Sequence, residues 1–134
     1  MISCCSRRAF LQAGTVGASA VALASCGGGA GEEEQSRRWV SIELDQHLNV
    51  GESTSVAHQD EQLLVHRPSE EEVLVFSAVC PHQGCTVGVA EEHFECPCHG
   101  SRFELTGQWQ SGPAEQPLHE FQAQLEGTSL RVLL

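Results

Sequence analysis

Two short stretches of the chain combine cysteine and histidine at spacings typical of metal ligands. The first is CPHQGC, residues 80–85, and the second is CPCHGS, residues 96–101. Proline and glycine interrupt both stretches and disfavour the interior of a helix or a strand. We therefore expect two loops that carry soft sulfur and imidazole donors, although their shared pattern is too short to count as an internal repeat.

Three arrangements could use these groups. Two disulfides would suit a protein outside the cytoplasm, but they leave the histidines unexplained. A tetrahedral zinc site needs four thiolate or imidazole ligands, so two cysteines would be left over. In a two-iron cluster, two thiolates hold one iron, two imidazoles hold the other, and the remaining two cysteines can pair. Only the cluster uses all six groups.

At this point the two loops resemble the Rieske [2Fe-2S] motif, which requires six residues in a fixed order. Matched position by position, the resemblance implies that Cys80 and Cys96 bind one iron and that His82 and His99 bind the other. It also implies one [2Fe-2S] cluster per chain. Because neutral imidazoles replace two thiolates, such clusters have reduction potentials of roughly −150 to +300 mV.

The resemblance extends beyond the iron ligands. It implies a disulfide between Cys85 and Cys98, which would join the two loops. Ser101 matches the serine whose hydroxyl donates to a bridging sulfide, so it is a further candidate contact of the cluster. The segment SGPA, residues 111–114, resembles the proline loop that covers the cluster.

Three features depart from the family pattern, the last two from that of quinol-oxidising members. Only 13 residues separate His82 from Cys96, so we expect residues 86–95 to form a tight hairpin. Gln83 stands where those members usually carry leucine. Phe103 stands where many of them carry a tyrosine that donates to a ligand sulfur.

The rest of the chain predicts an all-β fold. Apolar runs are short, and turn residues recur between them. We predict strands at residues 39–44, 62–67 and 72–79, and a hairpin over 120–134 that turns at Gly127. The resemblance implies a Rieske-type antiparallel β-sandwich with a small cluster-binding subdomain, spanning residues 39–134.

The N-terminal residues read as an export signal. Residues 6–11, SRRAFL, resemble the twin-arginine motif, and residues 23–26, LASC, resemble a bacterial lipobox. We predict a signal over residues 1–25, cleavage before Cys26 and lipidation of Cys26; the competing interpretation is an uncleaved anchor. Residues 26–38 are glycine-rich and then acidic, which predicts a flexible tether on the outer face of the cytoplasmic membrane.

Composition narrows the class of partners. The formal net charge is −11, and the chain contains no lysine. This argues against nucleic acid and favours steering toward basic proteins. Five further histidines lack partners at ligand spacing, so we expect them on the surface or in packing: His47, His58, His66, His93 and His119. We expect Trp39 and Trp109 in the core or over a loop.

These observations predict an electron-transfer subunit rather than a catalyst on its own. The first interpretation is the iron-sulfur subunit of a quinol:cytochrome c oxidoreductase-like chain, with cytochrome b- or c-type partners and quinol. The alternatives are the small subunit of an exported molybdenum enzyme such as an arsenite oxidase, and a free-standing electron carrier. A structural zinc-binding domain is the remote alternative.

Overall fold

The structure, a computed structural model, describes residues 37–134. The predicted signal over residues 1–25, the lipidation of Cys26 and all but the last two residues of the predicted tether lie outside the described residues. Within residues 37–134, every regular element is a strand, and no helix has the length and apolar character needed to cross a membrane. All strand pairs are antiparallel, so the all-β prediction is confirmed.

The strands form three sheets, with the orders β1-β11-β10, β2-β3-β4-β9 and β5-β6-β7-β8. Their bounds are β1 Trp39–Glu43, β2 Ser53–His58, β3 Glu61–His66, β4 Leu74–Ser77, β5 Gly88–Val89, β6 Phe94–Glu95, β7 Arg102–Phe103, β8 Trp109–Ser111, β9 Glu120–Phe121, β10 Ala123–Glu126 and β11 Ser129–Leu133.

The central sheet, β2-β3-β4-β9, separates two apolar cores. Successive side chains of a strand point to opposite faces, so β3 and β4 can serve both cores at once. Leu64 and Phe76 are paired across the two strands and belong to the first core. Leu63 and Val65 lie on the other face and belong to the second core. This arrangement explains why three consecutive residues of β3, Leu63 to Val65, are all apolar and fully buried.

The second core is closed by the sheet β1-β11-β10. Ile42, Leu130 and Val132 alternate with exposed residues along their strands and pack toward the central sheet. The predicted turn at Gly127 is present, since Glu126 pairs with Ser129. However, the first arm of that hairpin is divided, because β9 pairs with β4 in the central sheet whereas β10 pairs with β11.

The first core is closed by the small sheet β5-β6-β7-β8, which carries the cysteine loops. Strands β5 and β6 form the tight hairpin predicted for residues 86–95. Fully buried Phe94 and Phe103 pair across β6 and β7 and belong to the same core as Phe76. The small sheet therefore presents the loops at residues 80–85 and 96–101 from a rigid apolar base.

Other details of the strand prediction were wrong. The strand β2 was missed, because its sequence, STSVAH, is mostly polar and resembles that of a loop. The strand predicted over residues 72–79 is confined to β4, and Val79 then forms an isolated bridge with Thr86. Of the two positions expected for Trp39 and Trp109, the core is ruled out by exposures of 42% and 41%. The Trp109 indole does contact a loop, through the Gly112 carbonyl.

Candidate metal centre

The first cysteine loop closes on itself through two backbone hydrogen bonds. The Cys80 N–H donates to the Cys85 carbonyl at 2.8 Å, and the Gly84 N–H donates to the Cys80 carbonyl at 2.8 Å. Gly84 has φ of 76°, in the left-handed region that glycine adopts at little cost. The glycine in CPHQGC is thus required by the turn.

The second loop repeats this geometry. The Cys96 N–H donates to the Ser101 carbonyl at 2.8 Å, and the Gly100 N–H donates to the Cys96 carbonyl at 3.0 Å. Gly100 has φ of 71°. The shared C-P-x-x-G spacing therefore encodes one turn used twice. Only three positions are identical between the two stretches, which is too few to reveal the repeated turn from sequence.

The two cysteines that begin the loops lie side by side as free thiols. Cys80 and Cys96 are each only 2% exposed. Burial raises the pKa of the Cys80 thiol, and the neighbouring Cys96 raises it further, whereas the backbone N–H groups of His82 and Gln83 lower it. Two adjacent buried thiolates are unfavourable without a cation, and a bound metal deprotonates such thiols.

The two loop histidines lie together on the outer side of the site. Their ring centroids are 4.8 Å apart and their planes are nearly perpendicular, at 88°. His82 is half-buried and His99 is exposed. The site thus has a buried pair of sulfur donors and an outer pair of imidazole donors, a donor set that fits a cluster with mixed ligation.

A disulfide between Cys85 and Cys98 joins the loops, with an S–S distance of 2.09 Å and Cα atoms 6.5 Å apart. The sulfur of Cys96 lies within 4.8 Å of these two sulfurs. Because two of the three sulfurs are bonded to each other, Cys96 alone of this group offers a thiol. The disulfide is the one that the family resemblance implied, and the arrangement with two disulfides is not present among the described residues.

The segment 111–114 contacts the second loop. The Ala114 N–H donates to the Ser101 hydroxyl oxygen at 3.1 Å, and Ser101 is fully buried. At Gly112, a Cβ atom would lie 2.6 Å from the Ser101 Cα atom, so only glycine fits there. Ser101 is therefore fixed from both sides, by its own turn and by this segment.

The remaining positions singled out in the sequence lie around the site or away from it. Phe103 is buried in the apolar core that also contains Cys80 and Cys96, and Gln83 is exposed on the first loop. His66 is buried beside the Ser53 hydroxyl, and burial lowers its pKa, opposed in part by the Glu52 carbonyl. A packing role suits this histidine.

The Rieske [2Fe-2S] domain model matches residues 38–122 of the chain. The chain belongs to the Rieske family. The matched Rieske segment contains both cysteine loops and the segment 111–114, and it ends at Gln122, just before β10. Its cofactor is a Rieske-type [2Fe-2S] cluster.

Known Rieske proteins are similar over much of this chain. The cytochrome b6-f complex iron-sulfur subunit of Chlorobaculum thiosulfatiphilum is 36% identical over 94 residues, which are 62% of this chain and 51% of that protein. The cytochrome b6-f complex iron-sulfur subunit 1 of Nostoc sp. strain PCC 7120 is 34% identical over 116 residues, 81% of this chain and 64% of that protein. The chain thus spans between half and two thirds of the length of these curated relatives.

A solved structure shares the fold. The plasma membrane Rieske protein PetC3 from Synechocystis PCC 6803 superposes with a TM-score of 0.54 at 26% identity, covering 61% of this chain and 86% of that chain. We propose that the cluster is held by Cys80, Cys96, His82 and His99, because these side chains are the donors that the paired loops bring together.

We predict that His82→Ala and His99→Ala each abolish cluster binding, because removing an imidazole leaves an iron with an incomplete ligand set. Iron and acid-labile sulfide in the purified protein should fall from about two each per chain toward zero. His119→Ala is the matched control, since the His119 ring packs against Phe121 and lies on neither loop. Full iron and sulfide in His82→Ala, or zinc without labile sulfide in the parent, would contradict the ligand assignment.

We predict that replacing Cys85 and Cys98 together by serine shortens the lifetime of the cluster on heating. The two cysteines are 13 residues apart in the sequence. A disulfide that closes a loop of this size stabilises the fold by on the order of 3 kcal/mol in the chain-entropy model. The visible absorbance of the cluster should decay faster in the variant, and mild reduction of the parent should reproduce the effect. Equal decay rates would show that the backbone turns alone hold the loops.

Proposed function

We propose that this chain is an exported, membrane-tethered Rieske electron-transfer protein that serves as the iron-sulfur subunit of a quinol:cytochrome c oxidoreductase-like chain. The observation that carries the proposal is the layered site, with two buried thiols beneath a pair of imidazoles that reach the surface. Relatives named as cytochrome b6-f iron-sulfur subunits support a cytochrome-type partner.

The bound cluster would supply one-electron redox chemistry at a potential above that of all-cysteine clusters. The chain's own residues decide where that chemistry is accessible. Cys80 and Cys96 lie in the apolar core, which keeps water and partners away from the sulfur side. The exposed edge of His99 and the half-buried His82 form the outer side, where a partner can approach.

The imidazoles also suit a reaction that moves a proton. A neutral imidazole has two ring nitrogens, and one that binds a metal leaves the other free to hydrogen-bond a partner. That second nitrogen carries the proton of the neutral ring, so it could donate a hydrogen bond to a quinol oxygen. It could accept the quinol proton only after its own proton had left the ring.

An apolar groove of about 600 Å³ runs beside the first loop. Its apolar walls include Pro81, Pro117, Leu118 and Val79, which is 52% exposed. Such a surface suits contact with an apolar quinol ring or a membrane-embedded partner subunit. The acidic charge of the chain favours a basic second partner, as electrostatic steering requires.

Export and tethering rest on the N-terminal sequence. The twin-arginine pattern at residues 6–11 suits a protein exported after its cofactor is inserted, and the lipobox ending at Cys26 would hold the domain at the membrane. Residues 26–38 would then span the distance from the lipid to β1. The Cys85–Cys98 disulfide agrees with an oxidising compartment.

We predict that deleting this chain from its host lowers quinol-dependent cytochrome c reduction by isolated membranes to the background rate. Restoring His58→Ala should recover the rate, because His58 lies in β2, on neither loop and outside the groove. Restoring His99→Ala should not, because His99 lies on the outer side of the site. An unchanged rate in the deletion strain would contradict the quinol reading. Loss of a molybdenum-dependent oxidase activity instead would favour the small-subunit alternative, and loss of neither activity would favour a free-standing carrier.

We predict that Cys26→Ala blocks processing, because the lipobox cysteine is the residue that is lipidated and then becomes the new N-terminus. The variant should accumulate as a precursor that retains residues 1–25, and it should take up no labelled fatty acid. The parent should be shorter, labelled and recovered in detergent. A parent that keeps its first 25 residues without label would show an uncleaved anchor.

A further inference from the structure

Trp109 is placed unusually for a tryptophan. It pairs with Phe103, which is fully buried, yet Trp109 itself is 41% exposed. Arg102 pairs with Ser111, so Gln110 is an extra residue between two paired positions of β8. This is a β-bulge, a device that redirects side chains and is frequent next to functional sites.

The indole of Trp109 makes a specific contact with segment 111–114. Its Nε1–H donates to the Gly112 carbonyl at 3.2 Å. Two residues further along, the Ala114 N–H donates to the Ser101 hydroxyl oxygen at 3.1 Å. One short segment is thus bound at one end by Trp109 and at the other end by Ser101.

Segment 111–114 cannot move closer to the second cysteine loop, because the two backbones are already in contact. A Cβ on Gly112 would lie 2.6 Å from the Ser101 Cα atom and 2.9 Å from the Gly100 carbonyl oxygen. The Gly112 backbone therefore already lies directly on the second loop. The indole hydrogen bond acts on the same residue from the side, so it can oppose movement away from the loop.

The Ala114 contact determines how the Ser101 hydroxyl can be used. Because the Ser101 oxygen accepts a hydrogen bond from the Ala114 N–H, its own proton remains available to donate elsewhere. Ser101 is fully buried in the second cysteine loop, so the position of segment 111–114 affects where that proton points.

We propose that Trp109 is a positioning residue for the redox centre. It holds segment 111–114 against the second loop, and through Ala114 it orients the Ser101 hydroxyl as a donor toward the cluster. The inference rests on the proposed role of Ser101 as a cluster contact. It adds a residue that motif matching does not identify, because Trp109 lies ten residues beyond the last loop histidine.

Packing in a core does not explain why a tryptophan stands at position 109, because the side chain is exposed. The chain's other tryptophan, also exposed, is therefore a useful comparison. Trp39 is exposed to a similar extent, 42%, but it lies in β1, with the Arg131 guanidinium 5.4 Å from its ring centroid. Trp39→Phe therefore changes the same chemical group at the same exposure without touching segment 111–114. It is the matched control for Trp109→Phe, which keeps an aromatic ring and removes the N–H donor.

The test is a double-mutant cycle on the cluster-loaded protein. Protein-film voltammetry should give a lower reduction potential for Ser101→Ala and a smaller shift in the same direction for Trp109→Phe. If Trp109 acts through Ser101, adding Trp109→Phe to Ser101→Ala should cause no further shift. Trp39→Phe should leave the potential unchanged.

A second measurement follows the segment itself. Amide hydrogen exchange in a peptide containing Ala114 should speed up by roughly two- to tenfold in Trp109→Phe, the range for loss of one hydrogen bond. The same peptide should exchange at the parent rate in Trp39→Phe. This readout does not depend on electron transfer.

Each failure has a distinct meaning. If Ser101→Ala leaves the potential unchanged, both the role of Ser101 and this inference are overturned. If Ser101→Ala shifts the potential but Trp109→Phe does not, only the inference fails. Additive shifts in the double variant, or equal shifts in Trp39→Phe, would likewise overturn it, because Trp109 would then act by a route other than Ser101.

Discussion

The site depends first on the pair of closed turns that begin at Cys80 and Cys96. Each turn brings its carbonyl and N–H groups together, which fixes the direction of the side chains that it carries. The disulfide between Cys85 and Cys98 then fixes one turn against the other. Without this double constraint, four donors from two distant loops would have to be ordered by the metal alone, at a large cost in conformational entropy.

The sheets extend that constraint into the rest of the domain. The central sheet gives one face to each core, so the loop-bearing small sheet and the β1-β11-β10 sheet are stabilised by different sets of side chains. The sulfur donors lie in the first core and the imidazoles lie outside it. This division insulates one side of the centre and leaves the other open, which is the asymmetry that exchange of single electrons with a docked partner requires.

Departures from the family pattern are concentrated on the side chains around the ligands. Phe103 keeps an aromatic ring in the first core but offers no hydroxyl, and Gln83 places a polar group on the exposed first loop. Hydrogen bonds to the sulfur atoms and solvent exposure both tune the potential of such clusters. A chain that preserves the ligand pattern can therefore differ from its relatives in reduction potential and in partner.

Sequence alone determined the family and the candidate donors, because thiols and imidazoles at fixed spacing have few other uses. It also determined the all-β class, because short apolar runs and the turn residues between them are features of neighbouring residues. It also anticipated the tight hairpin over residues 86–95 and the turn at Gly127. Tertiary structure alone decided what depends on distant contacts. The weakly apolar β2 is a strand only because it pairs with β3, and β9 leaves its hairpin partner because β4 offers an open edge. Likewise, the link from Trp109 through segment 111–114 to Ser101 exists only because a bulge redirects one side chain and a glycine permits close approach, and neither effect leaves a periodic signal in the sequence.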